Sequence, residues 1–105
     1  MAKQVKVKHT VNRANQMAVR WCRQTQRAIY HLNALGFTVL SIDFTRSKPR
    51  IKVDVGNNKG VARALIESKK AVWYAQGHSE ELGNWRGYYT MMEGIRVCWE
   101  SKFEG

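Results

Sequence analysis

Arg13, Arg20, Arg23 and Arg27 fall at spacings of seven, three and four residues, with Gln16 between the first two. On an α-helix those positions share one stripe. Like charges so spaced cost a helix ~0.2–0.5 kcal/mol per pair. A face meant only for solvent would interleave glutamates, yet no acid precedes Asp43. A second group, Arg46, Lys48, Arg50 and Lys52, recurs at every other position around the single proline, Pro49. The chemistry both groups suit is neutralisation of phosphates, which positions a nucleic acid without reading its bases.

Other constellations bear on catalysis. Asp43 and Lys52 on successive strands, after a helix, resemble the start of the core of the restriction-endonuclease family. That chemistry needs a second acid two residues before the lysine to hold Mg²⁺, and Arg50 occupies the position. Asp54 is the substitute on the same face as Lys52, which leaves a degenerate metal-dependent nuclease as the third reading. His9, His31, His78, Cys22 and Cys98 form no pair at zinc-ligand spacing, and there is no glycine-rich phosphate loop. Cys22 and Cys98 are expected as reduced packing residues rather than nucleophiles or a disulfide. Glu80, Glu81 and His78 share a loop, a common composition for solvated turns. No cofactor and no enzymatic activity are expected.

The elements that must position these groups are legible in outline. Asn12 or Thr10 caps a long helix running to Leu35, with Gly36 as its left-handed terminator. Ala14, Ala18, Trp21, Thr25, Ala28, Leu32 and Leu35 make the stripe expected to be buried. Phe37–Phe44 and Ile51–Val55 read as a β-hairpin with a basic tip. Leu40, Ile42 and Phe44 are expected to face Ile51, Val53 and Val55. Asn58 is the expected N-cap of a short helix over residues 59–68, with Val61, Leu65 and Ile66 inward. Three strands, Ala71–Gln76, Arg86–Met92 and Ile95–Glu100, form an expected antiparallel meander. Its last turn is Glu93-Gly94, which sets Met92 against Ile95, Thr90 against Val97 and Tyr88 against Trp99. The loop Gly77–Trp85 is expected to be long. The fold class is therefore α+β, ordered α-β-β-α-β-β-β, with both helices on one face of an antiparallel or mixed sheet.

Composition sets the bounds. One domain suits 105 residues, with residues 1–9 as a basic arm or edge strand ahead of a single domain over 10–105. The formal net charge is +10, and it is uneven. Residues 1–52 hold eleven of the eighteen cations and one acid, while seven cations and seven acids share the rest. Such asymmetry gains a domain no stability and points to a polyanionic or acidic partner. No apolar run approaches the ~20 residues that cross a bilayer, and no secretory signal opens the chain, so a cytoplasmic location without membrane contact is expected.

In overall character (small, very basic, dense in aromatics) the chain resembles small accessory proteins of bacteriophages. That resemblance implies a protein that binds nucleic acid or blocks a host machine. The first expectation is a DNA- or RNA-binding module working through the two cationic groups. The alternative is an interaction module or inhibitor that docks on an acidic surface or nucleic-acid site of a host enzyme. Trp85, Arg86, Tyr89 and Arg96 would then be its partner contacts.

Overall fold

The computed structural model describes residues 12–46, 48–56 and 58–102; the expected arm at 1–9 lies outside them. The protein is α+β, with two helices and one five-stranded mixed sheet. In chain order the elements are α1 (Arg13–Ala34), β1 (Thr38–Asp43), β2 (Arg50–Asp54), α2 (Lys59–Glu67), β3 (Val72–Ser79), β4 (Gly83–Met92) and β5 (Ile95–Lys102). The sheet order is β1-β2-β5-β4-β3. β3, β4 and β5 pair consecutively and antiparallel, but they do not stand as a separate meander. β5 also pairs with β2, in parallel, through Arg50↔Arg96, Ile51↔Val97 and Lys52↔Cys98.

Alternation along the strands gives the sheet two distinct faces. Ile51, Val53, Tyr88, Thr90, Met92, Ile95, Val97 and Trp99 point to one of them, where α1 and α2 pack. Leu32 and Ala28 from α1 and Ala62 from α2 complete the buried core. Trp99 lies between Phe37 and Tyr88, with ring centroids 6.2 and 6.1 Å away. The buried hydroxyls are satisfied locally: Thr25 donates to the Trp21 carbonyl (2.7 Å) and Thr90 to the Lys70 carbonyl (2.8 Å). The pairs Met92↔Ile95, Thr90↔Val97 and Tyr88↔Trp99 stand as the sequence pattern predicts. The turn between them holds Glu93 at φ 53° and Gly94 at φ 76°, the paired left-handed conformation of a two-residue hairpin.

Five expectations need correction. The buried stripe of α1 begins at Trp21, whereas Ala14 and Ala18 are exposed. The reason is geometric: Gln24 already lies against the β4–β5 turn, its side chain 3.8 Å from where a Gly94 Cβ would stand. Residues 13–20 therefore run beyond the sheet for about 12 Å at 1.5 Å per residue. In β1 the register shifts between Val39 and Ser41. The extra residue, Leu40, is turned outward, and Val39 and Ile42 face the core instead of Leu40, Ile42 and Phe44. The expected long loop at 77–85 is mostly strand, because β3 runs to Ser79 and β4 starts at Gly83. Asn58 precedes α2 but makes no side-chain cap; its amide instead donates to the Gly36 carbonyl (3.2 Å), tying the end of α1 to the start of α2. Cys98 is buried as expected, but Cys22 is exposed. By contrast, Asn12 caps α1 by accepting from the Asn15 amide at 2.9 Å, and Gly36 takes φ 79°.

The contrast along α1 is testable. Leu32→Ala empties a fully buried site and should cost ~2–5 kcal/mol of stability. Ala18→Ser should change it by no more than ~0.5 kcal/mol. Urea unfolding followed by tryptophan fluorescence measures both; equal losses would show that the N-terminal half of α1 packs as firmly as its C-terminal half.

Candidate nucleic-acid interface

The first cationic group is on the surface. Arg13, Arg20, Arg23 and Arg27 are all exposed. At 100° per residue Arg23 lies opposite the stripe of Thr25, Ala28 and Leu32, Arg20 and Arg27 lie well round from it, and Arg13 lies about a quarter-turn from it. Arg20, Arg23 and Arg27 line a shallow groove along the helix with Gln16, Val19 and Gln24.

The second group is carried by the β1–β2 hairpin. Arg50 and Lys52 alternate with the core residues Ile51 and Val53, so they project from the face that the helices leave uncovered. Arg23 and Arg27 are separated from Arg50 and Lys52 by the sheet, whereas Arg13 and Arg20 stand on the part of α1 that runs beyond it. The β1–β2 loop is held by Asp43, whose carboxylate accepts from the Thr45 amide (2.8 Å) and hydroxyl and lies 3.5 Å from Arg46 Nε. The Thr45 hydroxyl, then its amide, and then Arg46 hold the Asp43 carboxyl below its ordinary value. Lys52 is paired with Glu100 at 3.3 Å.

On the uncovered face the hairpin cations meet three of the four residues expected to contact a partner. Arg96 is the register partner of Arg50. Its guanidinium lies 4.0 Å from the Tyr89 ring centroid and 5.1 Å from that of Tyr74, within cation–π range of both. Tyr74 and Tyr89 meet edge to face at 5.8 Å. Trp85 lies farther along the same face. Two glycines seat these rings: a Cβ at Gly87 would stand 3.1 Å from Tyr74, and one at Gly77 would stand 2.5 Å from Trp85. Burial, and next the neighbouring Cys98 thiol, push the Tyr74 phenol above its ordinary value. Arg86 is the exception. It projects from the helix side of the sheet, with its guanidinium 5.1 Å from the Trp73 ring.

Met91 is on this face opposite Arg96, as strand alternation from the Glu93-Gly94 turn predicts, whereas Tyr74, also on it, carries no distinct sequence signal. Tyr74 reaches it because the β3 register shifts between Trp73 and Ala75, which leaves Tyr74 as the extra residue. The paired glycines, each opposite a strand with an aromatic, were the one available cue. Arg46, Lys48, Pro49 and Arg50 come together with Met91 and Arg96 around a concavity of ≈ 300 Å³.

The nuclease reading loses its second ligand. Asp43 pairs in register with Arg50, and Asp54 with Thr38, at opposite ends of the hairpin. Four residues at ~3.3 Å each put them about 13 Å apart, too far for one ion. Asp54 also accepts from the Gly56 amide at 2.8 Å. Among the described residues, no group of three or more His, Cys, Asp or Glu is placed to hold a metal, and no helix is long and apolar enough to cross a membrane.

The depressed Asp43 acidity has a pH consequence. A carboxyl whose folded value is lowered contributes its stabilisation above the ordinary carboxylate value and loses it as pH falls through the depressed one. The Thr45 amide resonance should hold its position as pH drops through the normal aspartate range and shift only below it. A shift centred on the ordinary value would show that the Asp43–Thr45 contact is not maintained.

No curated protein and no solved structure matches the chain. A family model described as "Uncharacterised protein" matches residues 4–102, and the chain belongs to that family.

Proposed function

We propose that the protein binds single-stranded nucleic acid, DNA or RNA, across the uncovered face of its sheet, without catalysing a reaction on it. The observation that carries this reading is the Arg96 guanidinium lying against Tyr89 and Tyr74 on a face that also presents Arg50 and Lys52. Unstacked bases are held on aromatic rings and on guanidinium planes, and their phosphates by nearby cations. A flat sheet face with rings seated on glycines offers the first, and the hairpin offers the second. Rings tolerate every base, so little sequence preference is expected. The cations of α1 face elsewhere and act through the long-range field that draws in a polyanion.

A protein partner is the second reading. Val72 and Trp73, 47% and 50% exposed, sit on β3 at one edge of the sheet, where an added strand or an apolar partner surface would cover them. Phosphate binding makes no use of them. An acidic partner would still meet the hairpin cations.

Anisotropy titrations of labelled single-stranded and duplex oligonucleotides at ~50–200 mM salt discriminate the two. Single strands should bind more tightly, with log K falling against log salt at roughly −0.7 per phosphate contact. Undetectable binding of any nucleic acid at the low end would overturn the reading in favour of an acidic protein partner. Loss of one stacked base is worth ~1–3 kcal/mol, so Tyr74→Ala should weaken single-strand binding by roughly five- to 150-fold. Arg13→Gln, far out on α1, should weaken it by less than about threefold, in line with a screened surface charge. Equal losses from the two variants would overturn the assignment to the sheet face.

A further inference from the structure

The concavity at the hairpin end of the uncovered face has an unusual lining. Four of its six residues, Arg46, Lys48, Arg50 and Arg96, are cations, and the other two are Pro49 and Met91. Its ≈ 300 Å³ is at the small end of the ~300–1,000 Å³ typical of small-ligand sites. Arg50 and Arg96 are register partners on adjacent parallel strands, a juxtaposition of like charge that costs stability. The nearest acid in register, Asp43, opposes Arg50 but is engaged by Thr45 and Arg46. Lys52, the next cation along β2, has its own partner in Glu100.

Arg96 is also fixed in place. Its guanidinium lies on Tyr89 at 4.0 Å, and its Nε is buried with no hydrogen-bond acceptor among the described residues. A desolvated guanidinium donor left unpaired is costly, and an anion on the open side stabilises the charge of the group although it does not reach the buried Nε. Arg46 is held through the Asp43–Thr45 loop contact. Two of the four cations are thus oriented before any ligand arrives, which lowers the ordering cost of binding.

More charge converges here than one internal phosphodiester, with its single negative charge, can use. A phosphomonoester carries about −1.5 to −2 at pH 7, with a second ionisation near pH ~6. The position of the concavity fits such a group at a strand end. Met91, Tyr89, Gly87 and Trp85 follow one another along β4 on this face, with Tyr74 over Gly87, so the rings begin at the concavity and lead away from it on one side. Resting on the single-strand reading above, we propose that this pocket receives the terminal phosphate of the bound strand, so that the protein prefers phosphorylated ends.

The experiment is competitive anisotropy of one single-stranded sequence made with a 5′-phosphate, with a 3′-phosphate, or with hydroxyls at both ends. One phosphorylated form should bind at least tenfold more tightly than the hydroxyl form. That preference should shrink as pH falls from 7 to 5 and the phosphate takes up its second proton. Lys48→Gln, an exposed loop change without risk to folding, and Arg96→Gln should each reduce the preference by several-fold. Inorganic phosphate at millimolar concentration should displace only the phosphate-dependent increment. Equal affinity for all three strands would overturn the end-recognition proposal and leave single-strand binding intact, whereas no binding of any strand would overturn both. A preference unchanged in Lys48→Gln and Arg96→Gln would place the phosphate elsewhere and overturn the assignment to this pocket.

Discussion

The parallel pairing of β2 with β5 is the contact on which the rest of the structure depends. Without it the chain would be a hairpin and a separate three-stranded unit, each with an unprotected edge. On the helix side it sets Ile51 against Val97, both fully buried, and so joins the two parts of the core. On the other side it sets Arg50 beside Arg96. One register decides both outcomes, because side chains alternate across a sheet and a slip of one residue would exchange the faces. Burial of the isoleucine and valine, at about 25 cal/mol per Å² of apolar area, works against the repulsion of the two guanidiniums. The charge cluster is thus held together by the core beneath it.

Both helices fall on one side because α1 and α2 each carry a single apolar stripe. The opposite face solves its exposure differently. Tyr74, Tyr89 and Arg96 cover one another and leave Tyr74 43% exposed. Gly77 and Gly87 remove the side chains that would lift Trp85 and Tyr74 away from the sheet. Both edge strands carry an extra residue, Leu40 in β1 and Tyr74 in β3, and such irregularities discourage edge-to-edge pairing.

What the sequence revealed was what depends on local pattern. The C-terminal half of α1, its cap at Asn12 and its stop at Gly36 follow from side-chain period and backbone chemistry. The β4–β5 pairing follows from one tight turn that fixes the register of every pair behind it. The misses are non-local. Nothing in residues 13–20 shows that the sheet ends short of them, so Ala14 and Ala18 read as buried. The bulges at Leu40 and Tyr74 each reverse the parity of a strand, and a residue count along the strand cannot detect them. For the candidate site, Trp85, Tyr89 and Arg96 stand out in sequence as aromatics close to cations, although Trp85 reads as a loop residue and its strand parity with Tyr89 is visible only in the structure. Arg86 fails by the same rule, being adjacent in sequence to Trp85 and therefore on the other face. Proximity of the hairpin cations to Arg96 required the β2–β5 pairing, which no turn or motif encodes.

The separation of the two cationic groups divides their physical roles. The α1 arginines are exposed, and no acid lies within α1 to pair with them. At physiological salt, exposed charges more than ~8 Å apart are largely screened from one another. They therefore add little to the energy of a phosphate seated against the sheet. Their sum still sets the potential met by an approaching polyanion, which governs encounter rate rather than residence. Arg96 is different in kind: its Nε is buried and its head rests on two rings, so its field acts through a less polar medium and reaches a bound anion with less screening. The uneven charge of this chain thus separates into a diffuse helical component that attracts and a localised sheet component that holds.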